Sequence, residues 1–123
     1  MRAIAVTSAD PHHRRIELET EAGRLVGFWM GPRPVAVGEN LDVELELPGE
    51  RRLEDLVLDP VRAVSPGMLR GTVARVFDDG VIVLEVARAA MQIQLEKSAP
   101  MRLAVGSVVA VDARDLEFHP TGV

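Results

Sequence analysis

The chain has 123 residues, with 19 carboxylates against 14 basic side chains for a formal charge of −5, and it contains neither cysteine nor tyrosine. That length suits one ordinary domain or two very small modules that lean on each other, since a comfortable core needs on the order of 100 residues. Disulfides, thiolate metal sites and cysteine nucleophiles are excluded. An acidic excess confined to residues 1 to 60, 12 acids to 7 bases, repels a polyanion and argues against nucleic acid as a partner.

No apolar run of about 18 residues is present to span a bilayer, and the opening MRAIAVTSADPHH lacks the apolar stretch of a signal peptide. The expectation is a cytoplasmic protein with no membrane partner. Along the chain, a period of two dominates. Ile16 and Leu18 alternate with Glu17 and Glu19, and Leu41, Val43, Leu45 and Leu47 alternate with Asp42, Glu44 and Glu46. Such alternation puts apolar side chains on one face and carboxylates on the other, as in a half-buried antiparallel strand.

GERRLEDLVL (49–58) places Leu53, Leu56 and Val57 at helical spacing and predicts one or two helical turns, as does VARAAMQ (86–92). Between the halves, LDPVRAVSPGM carries two prolines and a glycine, which resist helix and central strand alike. The expected organisation is therefore a module over 1–58, a linker over 59–67 and a second module over 68–123. In the second half, RGTVARVF (70–77) reads as a strand and DDG as a tight turn with Gly80 at positive φ. VIVLEV (81–86) returns as a strand whose run from Val81 to Leu84 predicts cover on both faces. Ile93, Leu95, Val109 and Val111, then LEF at 116–118, complete five short strands.

PRPVAVGENLDV (32–43) and PMRLAVGSVVAV (100–111) share P-x-x-(V/L)-A-V-G-x-x-(L/V)-x-V at a displacement of 68. At the same displacement Ile16 falls on Leu84, Leu18 on Val86 and Leu25 on Ile93, so inward positions coincide beyond the motif. Ile4 and Val6 fall on Thr72 and Ala74, which predicts a one-residue slip or bulge in the first strands of the two halves. The motif itself reads as a folding device: proline fixes the approach, two apolar residues dock and glycine turns the chain. The fold class expected is all-β: two pseudo-repeated small antiparallel β-barrels packed together.

LRGTVARVFDDGVIVLEV followed by LAVGSVVAVDARDLEF resembles the small OB-type barrels called TOBE or Mop domains. Leu69, Arg70, Gly71, Thr72 and Val73 match that family's first strand, and Leu103, Val105, Gly106 and Val109 its closing motif. The resemblance implies tandem barrels that bind molybdate, tungstate or sulfate, a small anionic ligand here assigned to Arg70, Thr72 and Ser98. Of the family's T-x-x-S segment only Ser98 is kept. VGENLDVELELPGERRLEDLVL is similar to the strand pair of PilZ domains. That family's R-x-x-x-R and D/N-x-S-x-x-G segments are missing, which leaves a partner-binding, PilZ-like barrel without the cyclic-dinucleotide motifs.

Phe28 and Trp29 face opposite ways if extended, so one fills a barrel while the other marks a surface for a protein partner, flanked by Arg14 and Arg15. Core packing is the competing reading for this aromatic pair. DPHHRR (10–15) reads as an exposed turn; His12 and His13 could meet one metal only in a loop, helped by Asp10 and His119, and no metal ligands are assigned. The chain shows no G-x-S-x-G, phosphate-binding glycine loop or H-E-x-x-H. The functional expectation is a non-catalytic binding or adaptor module without a cofactor, the alternative being a structural homo-oligomer, with homodimerisation as a way to cover sheet edges.

Overall fold

A computed structural model describes residues 1–58, 67–96 and 103–121. The strands are β1 Arg2–Ala5, β2 Arg15–Thr20, β3 Gly23–Trp29, β4 Asn40–Glu46, β5 Glu50–Arg51, β6 Val57–Leu58, β7 Met68–Val76, β8 Val81–Val86, β9 Ala89–Leu95, β10 Val108–Asp112 and β11 Glu117–Pro120. The protein is all-β, and its one helical element among the described residues is a single 3-10 turn, Leu53–Asp55, within the segment whose leucine spacing predicts it. The turn expected at 86–92 is instead the β8–β9 hairpin. Its two loop residues, Ala87 and Arg88, adopt positive φ of 46° and 73°, the backbone that a two-residue hairpin demands.

The strands form a closed barrel, ordered β1-β2-β3-β11-β4, and a six-stranded sheet, ordered β5-β9-β8-β7-β10-β6. Neither follows the division of the chain at 1–58 and 68–123. β11, from the second half, lies parallel to β3 and antiparallel to β4. The Phe28 N–H donates to the Leu116 carbonyl at 2.8 Å and the Met30 N–H to that of Phe118 at 2.9 Å. In return, β5 runs parallel to β9 and β6 antiparallel to β10. Residues 50–58 thus bridge β9 and β10 as β11 bridges β3 and β4, so each sheet is completed by a strand from the other half. The segment 59–66 lies outside the described residues.

The repeat is visible in the register. Arg2↔Asp42, Ala3↔Leu41 and Ile4↔Asn40 become Arg70↔Ala110, Gly71↔Val109 and Thr72↔Val108, a shift of 68 on both strands. In the hairpins the shift is 66: Thr20↔Gly23 corresponds to Val86↔Ala89. Ile16 therefore matches Ile82 and Leu18 matches Leu84, two residues from the alignment at 68. Two residues are one strand period, so the inward faces coincide either way. The irregularity expected in the first strands is present in β7, where the register shifts between Val73 and Arg75; β1 is regular, with Ala3 and Ala5 inward and Ile4 exposed.

A five-stranded barrel has a narrow interior, which explains small residues beside large ones. Ala3, Ala5 and Gly27 leave room for Ile16, Leu18, Val43 and the fully buried Phe118. Ile82, Leu84, Met91, Ile93, Leu95, Val109 and Val111 do the same for the second sheet, and the buried side chains of both sheets form one cluster. Each such side chain contributes ~1.5–3 kcal/mol on burial. In the doubled motif Gly38 and Gly106 turn the chain at φ of 85° and 93°. Only its first apolar residue docks: Val35 is buried and Leu103 half-buried, whereas Val37 and Val105 stand 66% and 67% exposed at equivalent tips.

Candidate functional site

β4 of the barrel packs near β9 of the second sheet, and a groove of about 960 Å³ opens between them. Its apolar side comes from the outer faces of β8 and the segment before it, Val81, Val83 and Phe77; its polar side comes from Glu44, Glu46, Arg75, Gln92, Gln94 and His119. The run Val81 to Leu84 is thus not covered on both faces. Ile82 and Leu84 are buried, but Val81 and Val83 are only half-buried and Phe77 is 42% exposed. An apolar run reports that neither face is freely solvated, and a groove wall meets that condition without a covering element.

The polar rim is built by register. β11 and β4 set Glu117 opposite Glu46 and His119 opposite Glu44, and the alternation that sends Phe118, Val43 and Leu45 inward sends these four outward. The His119 Nε2 lies 3.0 Å from Glu46 Oε2 and 3.1 Å from Glu117 Oε1. Carboxylates directly opposed across a strand pair repel, and the imidazole between them offsets this. Among the described residues, one nitrogen and two carboxylate oxygens, all within 4.8 Å of one another, make a donor set that could hold a metal ion.

The residues assigned from sequence end up scattered. Arg70 and Thr72 are exposed on β7, Thr72 directly opposite Glu85, and Ser98 lies outside the described residues. Trp29 is buried, its Nε1–H donating to the Arg33 carbonyl at 2.9 Å, so it is core and offers no partner surface. Arg14 donates to the Trp29 carbonyl at 2.8 Å, which makes it a clamp on that same segment. Phe28 stays partly exposed beneath Arg15, whose guanidinium carbon is 5.9 Å from the ring centroid, a cation–π distance. Phe28 pairs directly with Glu117 on the neighbouring β11, and Arg15 lies one strand further away, on β2.

DPHHRR is a turn, as expected: the Asp10 Oδ1 accepts the N–H groups of His12 and His13 at 2.7 and 2.9 Å. Those two backbone donors hold the Asp10 carboxyl below its ordinary value. His119 does not join this loop; its partners are Glu46 and Glu117. Sequence reasoning missed those two because they are 71 positions apart and meet only through the exchange of β11. The one local signal was Glu117-Phe118-His119, an i, i+2 pair on one strand face.

No protein-family model matches the chain, and neither a curated protein nor a solved structure matches it. Fold and groove define the class: a small, nearly all-β protein with a closed five-stranded barrel and a second sheet. No helix among the described residues is long and apolar enough to cross a membrane.

Proposed function

We propose that the chain is a non-catalytic binding module of the cytoplasm that holds its ligand in the groove between β4 and the outer face of β8 and β9. The observation that carries this reading is the incompletely covered apolar strip of Phe77, Val81 and Val83 facing a polar rim across about 960 Å³. Small-molecule sites combine an apolar wall with a few polar groups, at roughly 300–1,000 Å³. The lining contains no serine, threonine, cysteine or lysine, so it supplies no hydroxyl or thiol nucleophile to set against His119. The Met1 terminal ammonium in it is engaged by the Val43 carbonyl and the Asp42 carboxylate. Glu44 and Glu46 favour a ligand with an apolar body and a neutral or positively charged head. The oxyanion reading lacks comparable support, since Thr72 sits opposite a carboxylate.

The test is a nuclear magnetic resonance titration of the labelled chain with a library of small aromatic amines and amides. Perturbed amides should cluster at 75–83 and 90–94, and Val83→Glu should remove them while leaving the fold intact. Perturbations centred on β7 and β10, or none across the library, would overturn this placement.

A further inference from the structure

We propose that Glu46, Glu117 and His119 form a binding site for a divalent first-row transition-metal ion, with Zn²⁺ the ion that fits best. The site stands independently of any organic ligand in the groove.

The first argument is convergence. Two carboxylates approach the same imidazole nitrogen, at 3.0 and 3.1 Å, yet a neutral imidazole carries at most one proton there, and one N–H cannot serve two acceptors well. A cation at the point they share satisfies all three donors. Ligands about 2.0–2.1 Å from a tetrahedral zinc lie about 3.3 Å from one another, close to both separations. The second argument is charge. β4 and β11 set three carboxylates and one imidazole in a square, with Glu117 facing Glu46 and His119 facing Glu44. Even a protonated His119 leaves that square with an excess of two negative charges, which a divalent ion cancels.

Donor chemistry selects the ion. Imidazole with carboxylate suits zinc and its neighbours, whereas magnesium and calcium take six or more oxygens. Glu46 and His119 both line the groove, so the remaining coordination positions face it and are open to water or to a donor atom of an incoming ligand.

The chain contains three histidines, which makes the competing site plain: His12 and His13 in the exposed turn. Zn²⁺ titrated into the purified full chain should bind at one equivalent, followed by calorimetry. His119→Gln, and separately the pair Glu46→Gln with Glu117→Gln, should each weaken binding at least tenfold with an unchanged circular dichroism spectrum. The pair His12→Gln with His13→Gln should bind as the parent does. In the unmutated chain, Zn²⁺ should move the His119 imidazole nitrogen resonances and leave those of His12 and His13 in place, a readout that needs no variant to fold. Loss of binding in the His12/His13 variant with retention in His119→Gln would overturn the proposal. So would Ca²⁺ competing equally, or no stoichiometric binding at tens of micromolar Zn²⁺.

Discussion

Replacing Gly27 with alanine probes the strand exchange at its tightest point. A methyl group there would sit 2.4 Å from the Leu116 carbonyl oxygen and 2.8 Å from Phe118 Cε2. Carbon contacts are comfortable at about 3.5 Å, so β11 must retreat by about 1 Å. The obstruction is backbone and cannot swing aside as a long side chain would. Retreat stretches the bonds from Phe28 to Leu116 and from Met30 to Phe118, now 2.8 and 2.9 Å, each contributing ~0.5–1.5 kcal/mol. Overpacking of this kind costs ~1–3 kcal/mol. In a strand with nothing across from it, the same change would stabilise by ~0.5–1 kcal/mol. The two arrangements therefore predict opposite signs. With β11 docked, the net loss is about 2 kcal/mol, which at an m-value of ~1–3 kcal/mol per molar urea lowers the midpoint by about 1 M. Equilibrium urea unfolding followed by Trp29 fluorescence reads this directly. An unchanged or raised midpoint would show that residues 116–118 do not cross β3.

Phe118→Ala removes the fully buried ring that β11 contributes to the barrel and should cost ~3–5 kcal/mol; a loss near zero in urea unfolding would mean the strand is not seated. Gly80→Ala faces both a φ of +89° and a Leu95 carbonyl oxygen 2.7 Å from the new methyl, and should lower stability by ~2 kcal/mol in the same assay. Arg51, 14% exposed at its side chain, bridges to Asp115 at 2.8 Å. A double-mutant cycle of Arg51→Ala and Asp115→Asn should give a coupling of ~0.5–1 kcal/mol, and zero coupling would remove this tie between β5 and the chain entering β11. Asp112 is held below its ordinary value of 3.8 first by the Arg114 side chain and then by the Arg114 N–H, as Asp10 is by His12 and His13. Depressed carboxylates stabilise the fold above their unfolded value, and that stability is lost as pH falls through the folded value. Urea midpoints measured from about pH 6 down to pH 2 should thus fall less steeply below about pH 4 in Asp10→Asn/Asp112→Asn than in the parent; parallel curves would refute it.

Face assignments were legible in the sequence and sheet membership was not. The alternation at Leu41, Val43, Leu45 and Leu47 marked inward positions, and Val43, Leu45 and Leu47 are buried. The repeat at 68 survives as an identical register in two strand pairs, and its two-residue error in the hairpins left every face correct. At VARAAMQ the apolar spacing suited a helix equally well, and the backbone took a hairpin because β8 and β9 exchange ladder bonds along their whole length. The aromatic pair at 28–29 divided as alternation requires, Trp29 inward and Phe28 outward.

The candidate site was nearly invisible because its residues belong to distant segments. Glu46 reads as one of several carboxylates on a solvated face, and Glu117 and His119 as the end of a terminal strand. Only the docking of β11 between β3 and β4 turns them into a single patch beside a groove. Periodicity along a strand determines which side chains are apolar together, since that information is local and repeats every two residues. Which strand closes which barrel is decided by the interiors themselves: Phe118 finds the space that Gly27 leaves, and β5 and β6 find the edges of β9 and β10. Those complementarities lie between segments dozens of residues apart, and the tertiary structure alone decides them.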